Sequence, residues 1–445
     1  MPKVTVIMPS LNVVKYIRPC IESVLAQTLS DMEILAIDAG SEDGTLQIIE
    51  EYALRDKRIK VIHSDKKSYG YQLNLGIALA QGDYIGIVET DDMIVFDMYE
   101  VLFDTAIKTD ADYVKGGFQK FVDLGDGYCW SDSGHFPFEN TEIFGKVIEP
   151  CNMSSILIKD IYLWSGIYER KFISNIKLNE THGAAFQDQG FLFQTISSAK
   201  KAVYLDKVVY KYRQDNTKSS IYNKKGFNYI AKEYDYIEYF LAGKDESWTR
   251  AYYVRMLNQC IGRFEMMAVS GEFWEEALPV IQVLREKLWK AVEEKLLTSK
   301  DMDSQRWKLL ELFLKGERYI YAHCRDEIYL KAKPIDNVVR AVDYHSAIIF
   351  GCGKLGKFLH ALLESRYPGK VVAYCDNNSK LWNTRLQGMM IISLEEALQR
   401  YPDAVYVIAN LKEYETIKHQ IQALGVPDIR ICSYQGPVNM LLFHI

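Results

Sequence analysis

Apolar and polar positions along the first 90 residues switch repeatedly between two periods. Residues 4–8 form an apolar run stopped by Pro9, the pattern of a buried strand. Ile17, Ile21, Val24 and Leu25 then fall on one helical face. Residues 33–37 read as a second strand, and Leu46, Ile49 and Ala53 repeat the helical spacing. Residues 59–62 read as a third strand, Leu73, Ile77 and Ala80 mark a third helix, and residues 84–88 read as a fourth strand. Strand–helix–strand alternation predicts a mainly parallel sheet with right-handed crossovers. From about residue 223 the strand signal fades. Residues 229–241, 248–267, 273–297 and 306–323 carry the mixed apolar and charged faces of packed helices. From about residue 340 the alternation returns, with strands expected at 347–350, 371–375 and 405–408. The expected architecture is α/β, in three parts: an α/β domain over 1–222, a helical segment over 223–335 and a small α/β domain over 336–445.

Composition narrows the function classes. The 445 residues are 48% hydrophobic and 25% charged, an ordinary folded composition for two or three domains. A net charge of -6 lacks the basic field of a nucleic-acid binder. No apolar run reaches the roughly 18 residues of a membrane span. Residues 1–9 are too short and too soon interrupted for a secretion signal. The eight cysteines form no Cys-x-x-Cys pair, which argues against a zinc site or a disulfide framework. A cytoplasmic chain with reduced thiols is expected, and association with the inner face of the membrane is compatible with this. The 30 tyrosines suit wet aromatic surfaces such as sugar sites or interfaces between copies of the chain.

Ligands of open parallel sheets bind beyond the carboxyl ends of the strands. Three of the expected strands deliver polar or acidic loops there: Pro9-Ser10-Leu11-Asn12, then Asp38 to Thr45, then Glu89-Thr90-Asp91-Asp92. Three carboxylates in four residues repel one another unless they are solvated or paired with a cation, and oxygen ligands of this kind suit Mg²⁺ or Mn²⁺ with substrate phosphates. A solvated acidic turn that caps the next helix has about equal weight. Asp38 can accept hydrogen bonds from a base or ribose, and helix-capping chemistry is the alternative. The amides from Ser68 to Asn74 open a helix and can meet a diphosphate.

In order and spacing these loops resemble the family 2 glycosyltransferases. The family's Pro-x-x-Asn turn is matched by Pro9 to Asn12, and its Asp-Asp-Gly-Ser-x-Asp-Gly-Thr loop by Asp38 to Thr45. Its Asn-x-Gly-x-x-x-Ala-x-Gly helix is matched by Asn74 to Gly82, and its Asp-x-Asp-Asp motif by Glu89 to Asp92. Ala39, Glu89 and Leu73 depart from the family pattern. The resemblance covers about 220 residues. It implies a GT-A nucleotide-sugar-binding domain, with the nucleotide on Pro9, Asn12, Asp38, Gly70, Asn74 and Asp91. It further implies Mn²⁺ or Mg²⁺ on Asp91 and Asp92, and a single inverting displacement.

The family carries its catalytic acid further along, where this chain has Thr181 to Phe191. Asp188 fits the base that removes the acceptor proton, and Gln187 stands where many relatives carry Glu. The alternative for Asp188 is helix capping. Trp164 and His182 sit where relatives shape the acceptor pocket; core packing is an equal reading for the tryptophan. The implied reaction moves a sugar from a nucleotide-diphosphate donor, UDP expected, to a hydroxyl of a carbohydrate or lipid-linked acceptor of a surface polysaccharide or glycolipid.

Gly351-Cys352-Gly353-Lys354-Leu355-Gly356 follows an expected strand, and Asp376 lies twenty positions beyond. This satisfies a dinucleotide fingerprint and resembles the small Rossmann-like modules of bacterial polysaccharide enzymes; nucleotide binding and a purely structural role are equal readings of it. An NAD-dependent oxidoreductase built on it leaves the ordered N-terminal loops unexplained. A non-catalytic nucleotide-sugar-binding protein leaves the retained Asp91, Asp92 and Asp188 unexplained.

Overall fold

The apolar run at the N-terminus continues through Ser10 as strand β1 (Val4–Ser10), and all of it is buried. β2 (Met32–Asp38) is likewise buried along its whole length, as a parallel strand covered on both faces must be. The computed structural model describes residues 1–123, 128–130, 134–138, 142–183, 185–216, 223–269, 272–326, 342, 345–410 and 413–433. The remaining strands of the large sheet are β3 (Ile59–His63), β4 (Tyr84–Ile87), β5 (Met93–Ile94), β6 (Tyr113–Asp123), β7 (Tyr128–Trp130), β8 (Val147–Ile148), β9 (Gly166–Glu169) and β10 (Ala202–Arg213). Their order is β3-β2-β1-β4-β9-β6-β10-β5, with β7 on β6 and β8 on β10. The first four strands are mutually parallel, and β9 joins β4 antiparallel. The parallel half is therefore the one read from the hydrophobic pattern.

Helices α1 (Ile17–Leu25), α2 (Thr45–Arg55) and α3 (Tyr69–Leu79) cross between these strands. The buried stripe of α2 is Thr45, Ile48, Ile49 and Tyr52, one residue round from the expected Leu46 and Ala53. Helix α3 buries Leu73 and Ile77 as expected, together with Gln72. Gln72 Nε2 donates to the carbonyls of Ser10 (3.1 Å) and Ile37 (2.7 Å), and so ties together the ends of β1 and β2.

The chain divides into two compact units. The first joins residues 1–120 and 133–323, so the helical segment belongs with the large sheet. Its later helices are α4 (Met98–Thr109), α5 (Ile156–Lys159), α6 (Arg170–Ile173), α7 (Gln187–Ser198), α8 (Gly226–Glu238), α9 (Glu246–Val269), α10 (Leu278–Glu293) and α11 (Ser304–Lys315). The second unit holds residues 121–132 and 324–445. The expected borders near 222 and 335 lie outside the described residues. No described helix is long and apolar enough to cross a membrane.

The second unit has a six-stranded sheet in the order Arg385–Leu386, Met389–Ile392, Val371–Cys375, Ala347–Phe350, Val405–Ile408, Ile431–Ser433, parallel except at the first pair. Three of these strands are the ones expected; the other three are too short or too near a turn to show a period. After Ala347–Phe350, Gly351 takes a φ of 114°. A methyl group on Gly356 would lie 1.9 Å from the Gly351 carbonyl oxygen, so the glycines let the turn pack on itself. Asp376 accepts from the Cys352 N–H (3.0 Å) and the Asn378 N–H (2.9 Å), which commits its carboxylate to this loop.

Candidate active site

The parallel register pairs Ser10 with Asp38 and Ile7 with Ile87, so β1, β2 and β4 end on one edge. There Asn12, with a left-handed φ of 55°, clasps the neighbouring loop. Its N–H donates to Ser41 Oγ and its Oδ1 accepts from the Glu42 N–H, both at 2.9 Å. Asp38 is 1% exposed. Its Oδ2 accepts from the Gly40 and Ser41 N–H groups at 2.9 Å, and its Oδ1 from the Ser41 hydroxyl. The carboxylate expected to reach for a base is thus turned into its own loop, because three donors converge on it within three residues. Pro9 is buried at the end of β1, where its carbonyl accepts from Thr90 Oγ1 at 2.8 Å.

Glu89, Asp91 and Asp92 follow β4. Tyr210, on β10, donates to Asp92 Oδ2 (2.9 Å) and accepts from the Glu89 N–H (3.0 Å). Asp92 Oδ1 accepts from the Arg213 N–H at 2.7 Å. Asp92 is 1% exposed. The pair expected to ligate side by side is therefore split: both oxygens of Asp92 are met by protein donors and hold the motif to β10. Asp91 is partly exposed, gives one oxygen to Asn216 Nδ2 (2.7 Å), and its carbonyl accepts from Arg213 Nε (2.7 Å). Glu89 accepts from the Tyr69 hydroxyl at the start of α3.

Burial is the first cause that raises the pKa of all three acids. Glu89 is pushed up to about 8, with repulsion from Asp91 and Asp188 adding to burial. Asp91 raises Asp92 further. Uncompensated carboxylate charge of this kind attracts a divalent cation.

Asp188 is the second residue of α7. It follows Phe186, whose φ of 73° puts a bulky side chain in the left-handed region. Such strain clusters at functional turns. Phe186 occupies the N-cap position and makes no capping hydrogen bond itself; the carboxylates of Asp188 and Glu233 accept from N–H groups of the first turn. Gln187, 1% exposed, donates to the Thr181 carbonyl at 3.0 Å and closes the turn from within. Burial raises the Asp188 pKa, opposed by the Arg255 charge and a hydrogen bond from Gln189 Nε2 (2.9 Å). Gln187 Nε2 also donates to Ser68 Oγ (3.4 Å), next to the Tyr69 that bonds Glu89, so the turn lies by the acidic motif, and the Asp188 charge raises the pKa of Glu89, Glu233, Tyr69 and Tyr162.

Two groups in the helical segment escaped the sequence reading. Glu233 of α8, 1% exposed, accepts from the Gly190 N–H at 3.0 Å; burial and the charge of Asp188 push its pKa up to about 8. Arg255 of α9 donates from Nε to Gln189 Oε1 (2.6 Å) and from Nη1 to the carbonyls of Leu157 and Asp160. Both brace the first turn of α7. A signal existed: Ile230, Glu233 and Ile237 share a helical face, so an acid interrupts an apolar stripe.

Other expected contacts are protein contacts. A methyl group on Gly70 would lie 2.0 Å from the Asn179 carbonyl oxygen, which explains the glycine by packing. Asn74 donates to the Leu178 carbonyl (2.9 Å) and Glu180 Oε1 (3.1 Å) and accepts from the Leu178 N–H (2.9 Å). Its amide pins residues 178–180 and has no group left to aim at a phosphate. Trp164 is 5% exposed and stacks on Tyr162 (4.6 Å) and Tyr210 (4.0 Å), so no open face remains for a sugar. His182 is exposed beside the turn that carries Asp188.

Among the described residues no group of three or more His, Cys, Asp or Glu side chains is arranged to hold a metal alone. Glu89 and Asp91 offer hard oxygen donors with surplus charge. This fits a cation completed by phosphate oxygens and water, the usual manner of Mg²⁺.

The sequence profile of glycosyl transferase family 2 matches residues 5–162, and that of the C2185-like N-terminal family matches residues 343–432. The chain is 28% identical over 272 residues to the glycosyltransferase GlyG of Streptococcus pneumoniae serotype 4, covering 57% of this chain and 86% of that one. It is 32% identical over 256 residues to the uncharacterized glycosyltransferase EpsJ of Bacillus subtilis (strain 168), covering 54% and 72%. In fold it is similar to S. aureus TarS 1–349 in complex with UDP-GlcNAc, with a TM-score of 0.50 at 18% identity over 73% of this chain and 89% of that one. The chain belongs to glycosyl transferase family 2 and is a glycosyltransferase.

Proposed function

We propose that the chain transfers a sugar, with inversion, from a UDP-sugar to a hydroxyl of a carbohydrate or lipid-linked acceptor. The observation that carries this reading is the gathering of Glu89, Asp91 and Asp188 at the carboxyl edge of the parallel strands, with charges that act on one another. Asp188 removes the proton of the acceptor hydroxyl as that oxygen attacks the anomeric carbon. The carbon–oxygen bond to the diphosphate breaks on the opposite face, so the anomeric configuration inverts. A carboxylate with a raised pKa is a better base near neutral pH. Glu89 and Asp91 would hold Mn²⁺ or Mg²⁺; when bound, such an ion neutralises charge on the departing diphosphate. Asp92 positions the motif through Tyr210 and Arg213. Asn12 and Asp38 shape the loop that receives the nucleoside, and His182 lies on the acceptor side.

S. aureus TarS 1–349, similar in fold, forms a complex with UDP-GlcNAc, which makes that the first donor to test. Release of UDP from a panel of UDP-sugars, with and without Mn²⁺, tests the reading. Release from at least one UDP-sugar is expected; binding of GDP- or CMP-sugars in place of all UDP-sugars overturns the choice of nucleotide.

A further inference from the structure

A cleft of about 290 Å³ opens in the first unit. Its walls come from β6, from the segment that pairs with it at His135, and from the stretch after α5. Phe118 forms its floor, stacked on His135 at 4.9 Å and edge-on to Tyr162 at 4.8 Å. Lys120, His135 and Lys159 supply the ionisable nitrogens of the lining, and Asp160 supplies a carboxylate.

That carboxylate is already engaged. Asp160 is 4% exposed, takes the buried ammonium of Lys115 on Oδ1 and accepts from the Tyr204 hydroxyl on Oδ2 (2.8 Å). The cationic side chains of its described lining are Lys120 and Lys159. Burial lowers the pKa of Lys120, and burial together with the Lys120 charge lowers that of His135. Lys159 stands exposed at the rim. A partly desolvated lysine beside aromatic faces, with a second lysine at the rim, suits an anion joined to a sugar or polyol.

Side-chain contacts link the cleft wall to the acidic motif. Tyr162, in its wall, stacks on Trp164, Trp164 stacks on Tyr210, and Tyr210 donates to Asp92. The Tyr162 phenol feels the charges of both Asp188 and Asp92. Arg255, which braces the Asp188 turn, donates to the Asp160 carbonyl.

We infer that this cleft is an acceptor subsite that takes a phosphate carried on the sugar or polyol being glycosylated. The inference rests on the transferase reading proposed above. Two lysines are point charges that suit a compact doubly charged phosphate; a carboxylate is better met by the planar fork of arginine, and the described residues of the lining include none.

The test titrates the full chain, with UDP and Mn²⁺ present in excess, with glucose 1-phosphate, glycerol 3-phosphate, glucose and glucuronate. UDP binding is measured first and reports on the donor reading alone; the anion titrations are read whether or not UDP binds. Glucose 1-phosphate or glycerol 3-phosphate should bind tighter than glucose and glucuronate; the first ranking highest assigns a sugar phosphate, the second a polyol phosphate. Lys159→Gln, at an exposed position, should weaken that binding by about tenfold, the worth of one charge-assisted hydrogen bond. Adding Lys120→Gln should weaken it further, with UDP affinity unchanged. Glucose or glucuronate binding as tightly as the phosphates overturns the inference, and so does Lys159→Gln without effect.

Discussion

Tyr210 donates a hydrogen bond to Asp92 at 2.9 Å across 118 residues of sequence, and the same hydroxyl accepts from the Glu89 N–H. One phenol on β10 thus sets both ends of the acidic motif. The arrangement separates the two adjacent acids. Asp91→Ala should leave thermal stability near that of the native chain and abolish Mn²⁺-dependent UDP binding. Asp92→Ala should lower stability by about 1–3 kcal/mol, because the buried Tyr210 hydroxyl and Arg213 N–H lose their acceptor. Paired denaturation and nucleotide-binding measurements check this; equal losses of stability in the two variants would contradict it.

Asp38 gives a second contrast. Its three accepted hydrogen bonds shape the loop, so Asp38→Ala should cost about 1–3 kcal/mol of stability and weaken UDP binding together. Ser41→Ala, which removes one of those donors and leaves the acid, should show a smaller loss of both. If Asp38→Ala weakened UDP binding with no change in melting temperature, the acid would contact the nucleotide directly.

Glu233 makes stability depend on pH. Its pKa rises from an ordinary 4.5 to about 8 in the folded chain. A raised acid costs the fold nothing below its unfolded pKa, and the cost grows as pH climbs toward the folded value, by at most ~1.4 kcal/mol per pH unit. Glu233→Gln keeps an acceptor for the Gly190 N–H and removes the titration. Its melting temperature should gain on that of the native chain between about pH 5 and pH 8. A constant difference across that range would show that Glu233 titrates at an ordinary value.

The parallel half of the sheet and its helices were legible because buried parallel strands leave near-continuous apolar runs, as in residues 6–9 and 34–37. The acidic motif and the Asp188 turn were legible as local sequence. The side-chain partners were not. Whether Asp38 or Asn74 faces a ligand or the backbone depends on loops that meet only after folding; Asn74 meets Leu178 across 104 residues. Trp164 was ambiguous for the same reason, since its stacking partner Tyr210 comes from a distant strand. Glu233 and Arg255 lie on helices whose apolar faces hide isolated charges, and nothing local tells a buried brace from a solvated side chain.

Asp188 is proposed as the base of the transfer. A general base contributes typically 10²–10⁴-fold to rate. The most direct measurement is the turnover of Asp188→Asn with a UDP-sugar and acceptor, read beside its donor affinity and melting temperature. With Asp188 as the base, kcat should fall by about 10²–10⁴-fold while donor affinity and melting temperature stay near those of the native chain. Near-normal turnover in a folded Asp188→Asn chain would contradict it.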